Sequence, residues 1–284
     1  MRGALSIQGS HLIAGWGVSC CAPLGVLPPR EMVSVAWGLR LLVDGYTGPV
    51  VRIRRNTDNV EQNFGCTTNG DLDTASIAAF LAGDSGFVSQ VFDQGSSTLF
   101  GGSQTTRITQ SGLTFQPLFD PVGMNGRPAM IFDGIDDRLD TGVNTGGIVN
   151  STVIAVFQRG NISQVLGEVA ALAPNDSGRG MFSSSGAAAF SFTDRIFVNG
   201  RELGAFMPTT PPIPTTGVPM VAVGDNGKPR NYTAGGNYRI GFGQPSNQFL
   251  GGPFSEVTFY KKLTPAQRAA LQRNAADYYG VTLQ

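Results

Sequence analysis

The densest chemistry in this chain is a run of three carboxylates, Asp133, Asp136 and Asp137, inside NGRPAMIFDGIDDRLD (Asn125–Asp140). Two readings fit such a cluster. The Asp side chains can accept hydrogen bonds from the amides of their own turn, or they can together hold a Ca²⁺ ion or a sugar hydroxyl. The spacing is not that of an EF-hand loop, so no metal site is predicted, with Asp133, Asp136 and Asp137 as the only candidates. Other reactive side chains are sparse. A single histidine, His11, sits in a Gly-rich N-terminal stretch, which argues against a Ser-His-Asp or Cys-His arrangement. The three cysteines are the adjacent pair Cys20 and Cys21 and the isolated Cys66. No CxxC or Cys/His pattern supports zinc, and an odd thiol count fits a reducing compartment or one bond plus a spare thiol. No cofactor is expected.

The elements that would position these groups read mainly as strands. Asn125-Gly126 is a turn and Pro128–Phe132 a strand. Ala129 and Ile131 point one way and Met130 and Phe132 the other, so apolar neighbours must cover both faces. The Asp133–Asp137 turn then leads into a second strand from Arg138. Upstream, MVSVAWGLRLLV (Met32–Val43) has Val33, Ala36, Trp37, Arg40 and Leu41 at helical spacing and is predicted as a helix. Val50–Arg55 is a strand with Val51 and Ile53 inward; Arg52, Arg54 and Arg55 make a basic stripe, read as a solvated sheet face or, alternatively, as a seat for an acidic group. Asp73 caps a helix over Thr74–Ala82 that Gly83 ends. Phe87–Phe92 is a strand, and 95–112, rich in Ser, Thr, Gly and Gln, is a surface loop. Thr152–Phe157 is an apolar strand, Arg195–Leu203 a hairpin on an Asn199-Gly200 turn, and 207–218 a Pro/Thr loop. Val221, Tyr238–Phe242 and Phe254–Tyr260 supply further strands. The chain closes on a helix with Thr264 at the N-cap, Pro265 at N1 and Gln267 completing a capping box; Leu271, Ala275 and Tyr278 share a face and Gly280 stops it.

Composition agrees with this pattern. Of 284 residues only 14% are charged, Gly numbers 39 and Pro 17, and the formal net charge is zero. Low charge with many Gly and β-branched residues suits an all-β sandwich, and the absence of a basic patch sets nucleic acid aside as a partner. No apolar run is long enough to span a bilayer as a helix. Residues 1–30 are Gly-rich and apolar, close on Pro28-Pro29, and read as a docking arm ahead of a domain over 31–284; the apolar run is too broken by Gln8, Ser10 and His11 for an export signal. Such an arm is expected to find a partner chain, although a first strand of the same sandwich would look alike.

Taken together, YTGPVVRIRRNTDNVEQNFG (Tyr46–Gly65), DLDTASIAAFLAGDSGFVSQVFDQ (Asp71–Gln94), the acidic-turn stretch, IFVNGREL and FSEVTFYKKLTPAQRAALQRNAADYYGV resemble concanavalin A-like, laminin-G-like jelly rolls. More narrowly they resemble the catalytic-type domain of α-L-arabinofuranosidase B over about residues 35–281, a domain type also found in bacteriophage tail, fibre and head-surface proteins. The resemblance implies two packed antiparallel sheets with a carbohydrate-facing concave side, and a few short helices including one at the C-terminus. A retaining glycosidase needs two carboxylates about 5 Å apart. The resemblance aligns the family's nucleophile near Ala171, ahead of Asp176–Gly180, and its acid with Gln244 in Gly241–Gln244. Alanine cannot attack and glutamine cannot donate as a carboxylic acid does.

The expectation from these residues is a non-catalytic structural protein of a phage-type particle, oligomeric and exposed at the virion surface. Its arm would dock on other virion subunits and its sandwich would face cell-surface glycans. Tyr232, Tyr238 and Gln244 are the candidate glycan-binding residues. The alternatives are an arabinofuranosidase-type glycoside hydrolase, secreted, using Glu168 with Asp176 or Asp225, and a free carbohydrate-binding module. Sequons at Asn150, Asn161 and Asn231 matter only in a glycosylating host.

Overall fold

The computed structural model describes residues 27–96, 107–144, 151–158, 195–204, 217–225, 237–243 and 248–284. Sixteen strands and two α-helices lie in these segments, and every strand pair is antiparallel. The architecture is the all-β sandwich expected, with a helix at the C-terminal end.

The first layer is built around the long strand β16 (Gly251–Lys261). Along one edge β16 pairs with β9 (Ser151–Gln158), which continues through β12 (Pro219–Asp225), β10 (Arg195–Val198) and β11 (Arg201–Gly204). Two partners divide its remaining pairings: β7 (Arg127–Asp133) takes Gly251–Phe254 and β1 (Val33–Gly38) takes Glu256–Tyr260. The β10–β11 hairpin turns on Asn199 at φ 47° and Gly200 at φ 88°, the left-handed pair that a two-residue Asn-Gly turn requires.

The second layer holds β2 (Val51–Arg55), flanked by β3 (Glu61–Phe64) and β4 (Gly86–Val91). From β4 it runs on through β5 (Ile108–Thr109) and β8 (Leu139–Asn144) to β13 (Asn237–Ile240). Strand β6 (Leu118–Met124) pairs with β7 on one side and touches β4 at Phe87–Leu118, so the two layers are parts of one folded sheet. A separate hairpin joins β14 (Phe242–Gly243) to β15 (Gln248–Phe249).

The core lies between the layers. Val35, Trp37, Val153, Ala155, Phe157, Ala222, Val257 and Phe259 of the first layer meet Val51, Ile53, Val88, Val91, Ile108, Leu139 and Ile240 of the second. The alternate residues Ile154, Val156, Phe197, Val221 and Val223 turn outward and are buried again, under helix α2 (Pro265–Tyr279) through Leu271, Ala275, Ala276 and Tyr279. The first layer is therefore dry on both faces, which explains its unbroken apolar runs. The same holds for β7, where Met130 and Phe132 enter the central core while Ala129 and Ile131 pack on the helix side.

The structure corrects the helix expected over Met32–Val43. After a single 3-10 turn at Arg30–Met32, residues Val33–Gly38 form strand β1, buried throughout. A register shift between Val33 and Val35 sends Val33 and Ala36 to the helix side and Val35 and Trp37 to the core. That shift mimics helical spacing in a strand. The loop expected over 95–112 also carries a two-residue strand, β5. The C-terminal helix is as expected: Thr264 and Gln267 form the capping box and Gly280 closes it at φ 64°. Helix α1 (Thr74–Leu81) is capped by Asp73. Of the N-terminal arm only 27–30 is described; residues 1–26, with His11, Cys20 and Cys21, lie outside the described residues.

Candidate functional site

One face of the sandwich, the outer side of the first layer, is closed by α2, and among the described residues its buried charges are matched. Arg40 makes a two-point pair with Glu256, Nε to Oε2 at 2.6 Å and Nη2 to Oε1 at 3.0 Å, and its Nη1 donates to Asn274 Oδ1 at 2.9 Å. The Tyr279 hydroxyl donates to the same carboxylate at 3.0 Å, and the Tyr278 ring lies 4.6 Å under the guanidinium. Burial alone would lower the Arg40 pKa; the Glu256 carboxylate overrides it and holds the group above its ordinary value. Asp225 is tied to Lys262 at 2.7 Å, Arg268 at 3.0 Å and the Thr152 hydroxyl at 3.1 Å. These carboxylates fasten the helix to the sheet. Asp225, a candidate for hydrolysis from the sequence, therefore has both oxygens engaged in a structural cluster.

The outer face of the second layer is built differently. Cross-strand pairing fixes which side chains share a side. Val51, Val91 and Ile108 are partners and point to the core. Their neighbours Asn63, Arg52, Gln90, Thr109, Asp140 and Arg239 are likewise partners in succession and point away from it. Six strands, β3, β2, β4, β5, β8 and β13, thus contribute one polar side chain each to a single row. At five inter-strand steps of about 4.8 Å the row is roughly 24 Å long.

Within the row, Arg52 Nε donates to Asn63 Oδ1 at 2.7 Å and faces Glu61 at 3.7 Å, while Arg239 pairs with Asp140. The middle is different. Gln90 is 3% exposed and its Nε2 has no hydrogen-bond partner; Ser89, 6% exposed, leaves its hydroxyl unpartnered as well. The pairing of β2 with β4 skips Ser89, so this residue is the extra one of a bulge. A bulge lets two successive side chains face the same side between the inward Val88 and Val91. Gln272 on α2 also has an unpartnered Nε2, but it is an isolated case under the helix and not a member of a row.

Below the row the polar packing continues. Arg54 Nε donates to Gln116 Oε1 at 2.6 Å and Nη1 to Asn59 Oδ1 at 2.8 Å; Gln116 Nε2 donates to Gln110 O, and Gln110 Nε2 to Arg138 O. The basic stripe is consequently no solvated face: Arg54 is buried, Arg55 is tied to Asp58 and Phe80 O, and Arg52 to Asn63.

The acidic turn stands at the end of β7, just before β8. Asp133 Oδ1 accepts from the amides of Ile135 at 2.8 Å, Asp136 at 3.1 Å and Asp137 at 3.4 Å, and Asp133 N–H donates to Asp137 Oδ2 at 2.9 Å. The carboxylates of Asp133, Asp136 and Asp137 lie within 4.8 Å of one another, and turn capping accounts for their closeness. Burial first, and the Asp133 charge second, push the Asp137 carboxyl up to about 7. Gly241 rests against this turn at φ 90°: a Cβ there would come 2.4 Å from Phe132 and 2.9 Å from the Asp137 carbonyl oxygen. The β14–β15 hairpin that flanks Gln244 in sequence is thus rooted beside Asp137.

Gln244, Tyr232, Ala171, Glu168 and Asp176 lie outside the described residues. Tyr238 falls in β13, with its side chain outside what is described. Sequence reasoning missed the row, and a signal for it exists: a serine and a glutamine in succession, Ser89-Gln90, interrupt an otherwise apolar strand (Gly86–Val91), where apolar alternation would be expected. Elsewhere, Cys66 is pushed up to about 12 by burial and then by Asp71, which leaves it an unreactive thiol. An apolar cleft of about 340 Å³ between α1 and β6 is lined by Ile77, Leu81, Leu118 and Pro121. Its one carboxylate, Asp84, accepts from the amides of Thr57 and Ser85.

No family model matches the sequence, and neither does any curated protein. Solved structures do. The chain is similar to a GH54 α-L-arabinofuranosidase soaked with a cyclic sulfate inhibitor (12% identity, TM-score 0.52). It is similar to an arabinofuranosidase complexed with arabinofuranosyl-α-1,2-xylobiose (14% identity, TM-score 0.53). It is also similar to a glutamate-to-glutamine mutant of a GH54 α-L-arabinofuranosidase soaked with 4-nitrophenyl α-L-arabinofuranoside (12% identity, TM-score 0.53). Each match covers 85% of this chain and 62% of the other, so the chain spans under two thirds of the enzymes' length. These neighbours share the sandwich fold and are glycoside hydrolases, which overturns the expectation of a non-catalytic virion protein. The error has a physical source. That expectation rested on Ala171 and Gln244 standing where carboxylates should be, and at 12–14% identity a residue-by-residue carry-over is easily displaced by a few positions. Glu168 is only three residues from Ala171.

Proposed function

We propose that this chain is a glycoside hydrolase of the arabinofuranosidase type. The observation that carries the reading is the likeness of 85% of the chain to solved arabinofuranosidases. The chemistry requires one carboxylic acid to protonate the leaving-group oxygen and one carboxylate to attack or to activate water. Glu168, in the stretch that the resemblance aligns with the family's nucleophile, supplies the carboxylate in this reading. Asp137 supplies the acid. It is the described carboxyl held up near neutrality, as a proton donor working near pH 7 must be. It also stands beside Gly241, three residues before the position aligned with the family's acid. Asp225 and Glu256 are unsuited, since buried cations engage both.

The test is release of nitrophenolate from 4-nitrophenyl α-L-arabinofuranoside. The wild-type chain should turn it over, Glu168→Gln should abolish turnover, and Asp137→Asn should lower it by about 10²–10³-fold. No turnover across a panel of aryl glycosides, or full activity in Glu168→Gln, would overturn the reading.

A further inference from the structure

Resting on the hydrolase reading, we propose that Gly241 and Asp133 are positioning residues for the acid Asp137. Gly241 lets the chain after β13 close over the acidic turn, and Asp133 fixes the carboxyl group by a hydrogen bond and by its own charge. The turn is held at both ends by strand pairing. Asp133, its first residue, pairs with Gly251 at the start of β16, and Leu139, just past its end, pairs with Ile240 of β13. Gly241 follows Ile240, and its carbonyl accepts the Leu250 N–H at 2.9 Å. The two flanking chains are therefore tied to each other beside the turn.

Both chains come closer than most side chains would allow. A Cβ on Gly134 would lie 3.3 Å from Gly251 Cα. Gly241 stands at φ 90°, and a Cβ there would lie 2.4 Å from the Phe132 ring as well as 2.9 Å from the Asp137 carbonyl oxygen. Phe132 is 2% exposed and set edge-on against Phe254, so its ring has little room to give. Glycine is required at 241 on two counts, the left-handed backbone and the close approach. Asp137 is left 6% exposed by this enclosure, and its Oδ2 accepts the Asp133 N–H at 2.9 Å. Among the described residues, the charged side chains facing it are Asp133 and Asp136 of its own turn. Arg138 and Arg239 are both drawn to Asp140, and β14, β15 and the start of β16 carry no charge. An apolar enclosure and a neighbouring carboxylate both disfavour the charged form, so together they keep the proton on Asp137 until a leaving group receives it.

The experiment follows kcat/KM on 4-nitrophenyl α-L-arabinofuranoside against pH, along the alkaline limb where the acid loses its proton. In Gly241→Ala the strand is pushed off the turn and water reaches Asp137, so the limb should move down by about one to two pH units. Asp133→Asn keeps an acceptor for the amides of the turn and loses only the charge; its limb should move the same way by a smaller step, under about one unit. If Gly241→Ala does not fold, Phe132→Leu/Gly241→Ala removes the ring clash, leaves the Cβ against the Asp137 carbonyl, and carries the same prediction. Lower activity with the limb left in place would make the substituted residue structural only and would overturn its role, with the hydrolase reading intact. If the wild type does not cleave the substrate, titration of the Asp137 carboxyl by carbon-13 NMR reads the same shifts without turnover. A wild-type midpoint of about 7 that falls in the variants upholds the enclosure and removes the hydrolase; an unchanged midpoint removes the enclosure.

Discussion

The two outer faces of the sandwich solve the same problem in opposite ways. Under α2, charged groups are buried but complete: Arg40, Glu256, Asn274 and Tyr279 answer one another, as do Asp225, Lys262 and Arg268. Across the second layer, polar groups are buried and incomplete at Gln90 and Ser89. The first face is an internal joint that holds a helix. The second leaves the Gln90 amide and the Ser89 hydroxyl without a partner although both residues are buried. The α2 face keeps an orphan of its own, Gln272 Nε2, so the clearer difference lies in the charges: those under α2 meet opposite charges, whereas the buried Arg54 of the second layer is held by the neutral Gln116 and Asn59.

The largest predicted effect is on the complete face. Glu256→Gln or Arg40→Met leaves the other charge buried and uncompensated, and should destabilise by about 3–5 kcal/mol in urea unfolding. The double variant Arg40→Met/Glu256→Leu should recover most of that loss. If the single variants cost nothing, the joint does not hold the helix and the contrast between faces weakens.

The acidic turn comes next. Asp137 has a folded-state pKa near 7 against an ordinary value of 3.8. Because folding raises it, the associated stability is fully present below pH 4 and is lost as pH rises through about 7, where ionisation places a second charge beside Asp133. Asp137→Asn should flatten that slope, and the variant should gain on the wild type by roughly 2–4 kcal/mol between pH 4 and pH 8. Denaturation midpoints across that range check it; parallel curves for the two proteins would contradict it.

A smaller effect is expected at the cap that starts α2. Thr264→Ala removes the hydrogen bond to the Gln267 amide and should cost about 1 kcal/mol, read as a lowered denaturation midpoint. Smallest of all is Gln90→Met, which should change stability by less than about 1 kcal/mol in either direction. A loss as large as at Glu256 would show that Gln90 is a structural partner after all, and would erase the contrast.

How much of this the sequence discloses depends on the range of the interaction. The α2 helix and its caps, the Asn199-Gly200 hairpin and the capped helix at Asp73 are written in neighbouring residues, and each was legible. Strand β1 was not, because its bulge between Val33 and Val35 gives an apolar run the look of a helix. Strand β5 is two residues long in a polar stretch and exists through the pairing of Ile108 and Thr109 with Val91 and Gln90 of β4 and of Thr109 with Asp140 of β8. The polar row is the extreme case. Residues 52, 63, 90, 109, 140 and 239 become neighbours through register alone, and no local pattern joins them. The acidic turn was legible as turn chemistry, whereas the raised Asp137 carboxyl depends on burial against elements distant in sequence.

The most direct test of the account is turnover of 4-nitrophenyl α-L-arabinofuranoside by the wild-type chain, Glu168→Gln and Asp137→Asn, measured side by side. The account predicts release of nitrophenolate by the wild type, none by Glu168→Gln and a loss of about 10²–10³-fold in Asp137→Asn. No release by the wild type, or full activity in Glu168→Gln, would contradict it.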